Sequence, residues 1–239
     1  MTAVWVLAAF LLRDLGRSLA VIVPLATALA FGLIAFEYGM DQDQFITVAG
    51  VATAALCGLN GMLLAGRADR ATSYPIVGRL RQRSQLLFAI VGSSLALTCA
   101  LALLITIGNL LAGRLTLNFP SILWVVPTWL PLWLLAACLA LPLSALTSRG
   151  GSHLVGWVLL AAILVAHDQR ARLRAGGLDG PARAVEIIVW PVTTLLAQAS
   201  ADTHSRAYLL ALGLTLAYAA LLFVLAAQAF EDKDLLWPG

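Results

Sequence analysis

Lysine is almost missing from this chain. Lys233 is the only one, and charged residues together make up 11% of the 239 positions, against about 25% in a typical soluble domain. No GxxxxGK[ST] run occurs, so there is no P-loop to cradle the phosphates of a nucleotide. A lone lysine inside an EDKD cluster also leaves no buried amine for Schiff-base chemistry. HExxH and CxxC are both absent. Cys57, Cys99 and Cys138 stand in apolar runs at spacings that fit no metal pattern, and they read as small hydrophobes. No metal site and no cofactor on this chain is expected. The three histidines, His153, His167 and His204, lie near the ends of apolar runs. His167 adjoins Asp168, but neighbours in sequence do not face one another on a helix, so this is a thin basis for catalysis. A net charge of +3 is too small to argue for a nucleic-acid partner.

Apolar residues dominate instead, at 61% of the chain. A water-soluble protein of this length could not bury that much apolar surface, which makes lipid the expected solvent. The expected fold is an all-α integral membrane protein. Residues 1–17 read as an interfacial helix, with Trp5 and neighbouring aliphatic side chains in the acyl boundary and Arg13 and Arg17 one turn apart on a polar edge. These residues lack a positive leader, so no cleavage as a signal peptide is expected. Six spans follow, at about 18–36, 45–65, 85–111, 121–148, 152–167 and 207–230. The fourth run contains Pro120, Pro127, Pro131 and Pro142, with Trp124, Trp129 and Trp133 near its start. Tryptophans favour the headgroup level and prolines bend helices, so a kinked span beginning near Ser121 is expected. Residues 187–200, IIVWPVTTLLAQAS, are too short for a comfortable span. With Trp190 and Pro191 at their centre, they read as a re-entrant or interfacial segment between spans five and six. Residues 231–239 form a tail.

Five of the 15 basic residues fall in one short loop between the second and third spans: Arg67, Arg70, Arg79, Arg81 and Arg83, against the single acid Asp69. Short loops rich in Arg and Lys stay in the cytoplasm. With both termini also inside, nine basic residues are cytoplasmic and six are not. The exception is the 168–206 stretch, where Arg170, Arg172, Arg174 and Arg183 fall outside. Within the spans there is no Asp, Glu, Lys or Arg near the centre. Ion-coupled transporters need such a group to couple to protons or sodium, so a transporter built on this chain must draw its energy from elsewhere. The intramembrane polar residues, Asn60, Ser93, Ser94, Thr98, Asn109, Thr215 and Gln228, read first as interhelical hydrogen-bonding groups. Gly50, Gly58 and Gly61 on the second span allow close approach of another helix, within the chain or across a dimer.

Taken together, the order of these features resembles the transmembrane subunit of type 2 ATP-binding-cassette (ABC) exporters over nearly the whole chain. The likeness rests on the basic amphipathic start FLLRDLGRSLA and on the loop between spans two and three, where Asp69, Thr72, Tyr74, Pro75 and Arg79, Arg81 and Arg83 echo the family's acid, threonine, proline and basic cluster. It rests also on the short segment around Trp190–Pro191 and on the ending FEDKDL. Two departures stand out: Ala71 precedes Thr72 where a glycine is usual, and the acid is Asp in place of Glu. The resemblance implies a permease in the cell (inner or plasma) membrane that is not itself an enzyme. It would pair with a second copy or a homologous permease, enclosing a path for a lipid-like or amphipathic substrate. A separate ATPase carrying ATP and Mg would dock on the 67–83 loop. Two other readings remain open on the residues alone: an integral-membrane enzyme using His167, Asp168 and the 168–186 loop, and a non-transporting accessory subunit.

Overall fold

The computed structural model describes residues 2–69, 83–115, 119–144, 146–147, 179–198 and 205–231, with scattered positions between 154 and 177. Among these residues there is no strand. Seven helices carry the architecture: α1 (Thr2–Gly16), α2 (Ile22–Tyr38), α3 (Gln42–Ala68), α4 (Ser84–Leu111), α5 (Phe119–Ala140), α6 (Asp179–Ala197) and α7 (Arg206–Glu231). Four segments are long and apolar enough to cross a bilayer: Leu19–Glu37, Gln42–Ala68, Ser84–Leu111 and Arg206–Glu231. At 1.5 Å per residue the shortest of these is about 28 Å long, close to a hydrocarbon core of about 30 Å.

The helix boundaries follow local chemistry. Ser18 turns the chain after α1, its hydroxyl donating to Leu15 O at 2.9 Å, and a single 3-10 turn, Leu19–Val21, leads into α2. Gly39 closes α2 at φ 57°, in the left-handed region where glycine is unstrained. Asp41 then caps α3, its carboxylate accepting from Gln44 N at 2.8 Å, which satisfies one of the orphan donors of the first turn. Pro127 and Pro131 both sit inside α5 without ending it. Pro142 does end it: the helix stops at Ala140 and continues as turns, short of the expected Ser148. Proline has no N–H to offer the carbonyl four residues back and disfavours helical backbone in the residue before it. Leu141 O accepts instead from the hydroxyls of Ser144 and Thr147, both at 2.7 Å. Of the expected fifth span, residues 154, 156, 158 and 160–163 are described, all helical.

The core sits between α3, α4 and α5. Helices α3 and α5 run parallel in close register, and the three glycines face this contact within the chain. A Cβ at Gly50 would lie 2.9 Å from Trp129 Nε1, one at Gly61 3.0 Å from Ala140 Cβ, and one at Gly58 3.5 Å from Ala136 O. Trp129 and Trp133, expected at the headgroup level, are buried here. The Trp129 indole donates to Ile46 O at 3.0 Å and the Trp133 indole to Thr53 Oγ1 at 2.9 Å. An indole needs a partner for its N–H when buried, and α3 supplies both. Helix α2 follows α4, with Gly32 against Ile105 and the Arg114 guanidinium 4.9 Å above the Phe36 ring. Helix α7 packs mainly on α5, with Tyr208 against Thr128, and touches α4 where the Phe88 and Phe223 rings lie 4.3 Å apart and tilted by 41°. Helices α2 and α7 leave most of their apolar faces outward, as lipid-facing helices do.

Candidate functional site

The basic loop leaves α3 at its C-terminal end and enters α4 at its start, and both junctions are tied to other helices. Arg67, in the last turn of α3, pairs with Asp14 of α1 at 2.5 Å. Its side chain is only 10% exposed, whereas that of Asp14 is 43% exposed. At the other end, Arg83 donates from Nη1 to the carbonyl oxygen of Glu231 at 3.1 Å. Glu231 is the last residue of α7, where carbonyls have no intrahelical donor and carry partial negative charge. The loop is therefore bracketed by α1 on one side and by the end of α7 on the other.

Of the expected loop residues, Arg67, Asp69 and Arg83 are described, with Asp69 closing α3 through its backbone N–H to Ala65 O at 3.0 Å. Arg70, Thr72, Tyr74, Pro75, Arg79 and Arg81 lie outside the described residues, as do His167, Asp168 and the tail from residue 232. No sequence motif marks Asp14. It is the one acid between Arg13 and Arg17, and that isolation is the only signal that could have marked it.

Helix α1 is amphipathic in the structure. Leu7, Ala8, Leu11 and Leu15 form a buried stripe at helical spacing, while Trp5, Phe10, Arg13 and Arg17 point outward. The buried stripe packs on α4, where Ser93 donates its hydroxyl to Ala8 O at 3.3 Å. Ser93 is nine positions into α4, about 13 Å along its axis. Helix α1 therefore lies along α4, with its Asp14 end beside Arg67 at the loop end and Ala8 about 13 Å further along α4, which differs from the flat interfacial placement expected for residues 1–17.

A polar seam joins α3 to α4 above the bracket. Ser94 Oγ donates to Cys57 O at 2.6 Å, so the Cys57 thiol, 3.3 Å away, donates to Ser94 Oγ. Asn60 Nδ2 donates to Thr98 Oγ1 at 3.0 Å, and Asn60 Oδ1 is buried with no partner among the described residues. Across the bundle, Thr128 and Tyr208 hydroxyls meet at 2.9 Å. These contacts are what intramembrane polar groups do when they join helices, and none involves a carboxylate, ammonium or guanidinium group.

The segment between α5 and α7 is helical from Asp179, eight residues before the expected start at 187. Its C-terminal third leans on the bundle: Leu195 is fully buried with Leu132, Tyr208 and Ala211, and Gln198 Oε1 accepts from Ser205 Oγ, just before α7, at 2.8 Å. Pro191 is buried and Trp190 is 36% exposed. Nearer its start, Arg174 pairs with Glu186 and Ile187 and Ile188 are exposed. Helix α6 is not among the four segments long and apolar enough to cross a bilayer. No group of three or more His, Cys, Asp or Glu side chains gathers among the described residues.

No protein-family profile matches the chain, no curated protein matches it in sequence, and no solved structure matches it in fold.

Proposed function

We propose that this chain is the permease subunit of a type 2 ABC exporter, with six spans, α1 packed along α4 with its Asp14 end at the loop, and α6 as the non-spanning segment. It sits in the cell membrane with both termini cytoplasmic. Two copies, or this chain and a homologous permease, enclose a path for a lipid-like or amphipathic substrate. A separate ATPase, binding ATP and Mg, docks on Arg67–Arg83. The observation that carries the reading is the double bracket, in which Arg67 holds Asp14 of α1 and Arg83 holds the end of α7. A docking loop transmits force only if its ends are fixed to the helices that must move. Supporting it is the absence of an Asp, Glu, Lys, Arg or His side chain from the middle of any described span, which removes the groups that usually couple transport to ions.

Co-purification with a P-loop ATPase encoded beside this chain tests the proposal. Arg79→Glu together with Arg81→Glu should reduce recovery of the ATPase and the stimulation of its hydrolysis, with the membrane chain still folded. Unchanged recovery and unchanged stimulation would sink the docking role.

A further inference from the structure

The outward side of α1 carries a line of four residues spaced at i, i+4, i+7 and i+11: Val6, Phe10, Arg13 and Arg17. That spacing puts them on one face of a helix. Arg17 stands just past the end of α1, but its N–H still bonds to Arg13 O at 3.2 Å, which keeps it in helical register. All four side chains are exposed, Val6 at 69% and Phe10 at 47%. Asp14, the acid between the two arginines, is taken by Arg67, and among the described residues no carboxylate pairs with Arg13 or Arg17.

The place of this pair in the fold restricts what it can meet. Helix α1 comes toward the loop end along α4, and α2 leaves that end along the same helix, with Gly32 against Ile105 and Phe36 beneath Arg114. Arg13 and Arg17 stand at the turn between these two limbs. Exposed apolar side chains flank them on both sides, Phe10 before and Leu19, at 84%, and Ile22 after. A pair of cations reaching into bulk water, or onto a soluble partner, has no need of outward-facing apolar residues so close on either side. A lipid surface meets both kinds of group at once, because guanidinium groups rest at phosphate level while their neighbours lie among acyl chains. From Arg13 to Val6 is seven residue steps, about 10 Å, against a hydrocarbon leaflet about 15 Å deep. The line is long enough to follow one lipid from its headgroup well down its chain.

We propose that Arg13 and Arg17 hold the phosphate of one acidic phospholipid, whose acyl chain lies along Phe10 and Val6. Two guanidinium groups one turn apart present forked donors to phosphate oxygens. With Asp14 engaged elsewhere, their charge favours an anionic headgroup over a zwitterionic one. The site requires that the chain lie in a bilayer, but it is independent of ATPase docking and its test needs no ATPase.

The full chain in mild detergent is offered equal amounts of phosphatidylglycerol and phosphatidylcholine, and bound lipid is counted by native mass spectrometry. The wild-type chain should retain one phosphatidylglycerol about ten-fold in preference to phosphatidylcholine. Arg13→Gln together with Arg17→Gln should bring that ratio close to one. Arg206→Gln, which removes an exposed arginine at the start of α7, the end away from Glu231, should leave it unchanged. No preference in the wild-type chain overturns the proposal, as does a preference that survives the double substitution. A wild-type dimer that the double substitution dissociates with the lipid ratio unchanged also overturns it, and puts a second copy on this face. Should the double variant fail to fold, Arg17→Gln alone, outside α1, decides: it should lower the ratio about three-fold, and an unchanged ratio refutes the site.

Discussion

Asp14→Ala and Arg67→Met remove the same ion pair from opposite sides, and the structure says they should not cost the same. The Arg67 side chain is 10% exposed and the Asp14 side chain 43%. Deleting Asp14 strands a guanidinium with little access to water. Breaking a fully buried pair this way costs about 3–5 kcal/mol, and the partial exposure of this one brings the figure to about 2–3 kcal/mol. Arg67→Met keeps the apolar stem that packs between the helices and leaves Asp14 with water, so its cost is about 1 kcal/mol. Once Arg67 is gone Asp14 has nothing to neutralise, and the double variant should match Arg67→Met alone. The cycle then returns a coupling equal to the cost of Asp14→Ala, about 2–3 kcal/mol. Unfolding of the purified chain in mixed micelles, followed by its helical signal as the denaturing detergent fraction rises, measures all four corners. If Arg67→Met costs as much as Asp14→Ala, or the double variant costs the sum of the two, the bracket is not held by a pair of unequal burial and the reasoning fails.

The α3–α5 contact supplies a second prediction: Gly61→Val should destabilise the chain by about 1–3 kcal/mol through overpacking, because Ala140 Cβ stands 3.0 Å from where its Cβ would lie. Gly66→Ala, with nothing within 4 Å of the new methyl, should instead gain up to about 1 kcal/mol of helix propensity; the same micelle titration separates them. Asn60→Leu should be neutral within about 1 kcal/mol, since it trades one hydrogen bond for removal of an orphaned acceptor, whereas Asn60→Asp should be lost from the folded fraction on gel filtration because it buries a charge. Trp133→Phe should cost about 1 kcal/mol or less, because Thr53 still donates to Ala49 O at 2.5 Å when the indole is gone; a loss well above that in the titration would show that the indole–Thr53 bond carries the contact.

Length and hydropathy located the long helices well. The expected runs 45–65, 85–111 and 207–230 correspond to Gln42–Ala68, Ser84–Leu111 and Arg206–Glu231, because an uninterrupted apolar run has one way to satisfy its backbone in lipid. The early stop of α5 was harder to read, since four prolines stand in one run and only their helix context tells which are absorbed. Pro127 and Pro131 are absorbed and Pro142 is not. Trp129 and Trp133 misled for a related reason. Tryptophan is amphipathic, and its interfacial preference is a statistical one that a backbone carbonyl and a hydroxyl on a neighbouring helix override. Their partners, Ile46 O and Thr53, are about 80 residues away in the chain, and nothing local in the sequence joins them. The same holds for the bracket. The arginines were visible as a cluster, but that Arg67 faces inward to Asp14 depends on α1 folding back along α4.

That fold-back bears on how a push at the loop could be felt elsewhere. The seam between α3 and α4 is neutral, and the contact between α3 and α5 is close-packed at three glycines. Packed interiors of this kind move as units instead of deforming. The ties that leave this unit at the loop end are the charge-assisted ones, Arg67 to Asp14 and Arg83 to Glu231 O. Helix α2, at the edge, buries little of its surface in the bundle, so it can shift at low cost in packing, whereas α7 is held by its buried Tyr208 and Phe230. On the exporter reading, a displacement of residues 67–83 is passed without loss into α3 and α4, which flank the loop, and through the two brackets into α1 and α7. Cutting the Arg83 tie with Arg83→Gln would then uncouple hydrolysis from transport while leaving ATPase binding in place. Cutting docking at Arg79 and Arg81 would abolish both. That split, read as hydrolysis rate against transport rate in the same vesicles, separates a loop that merely binds an ATPase from one that also transmits its motion.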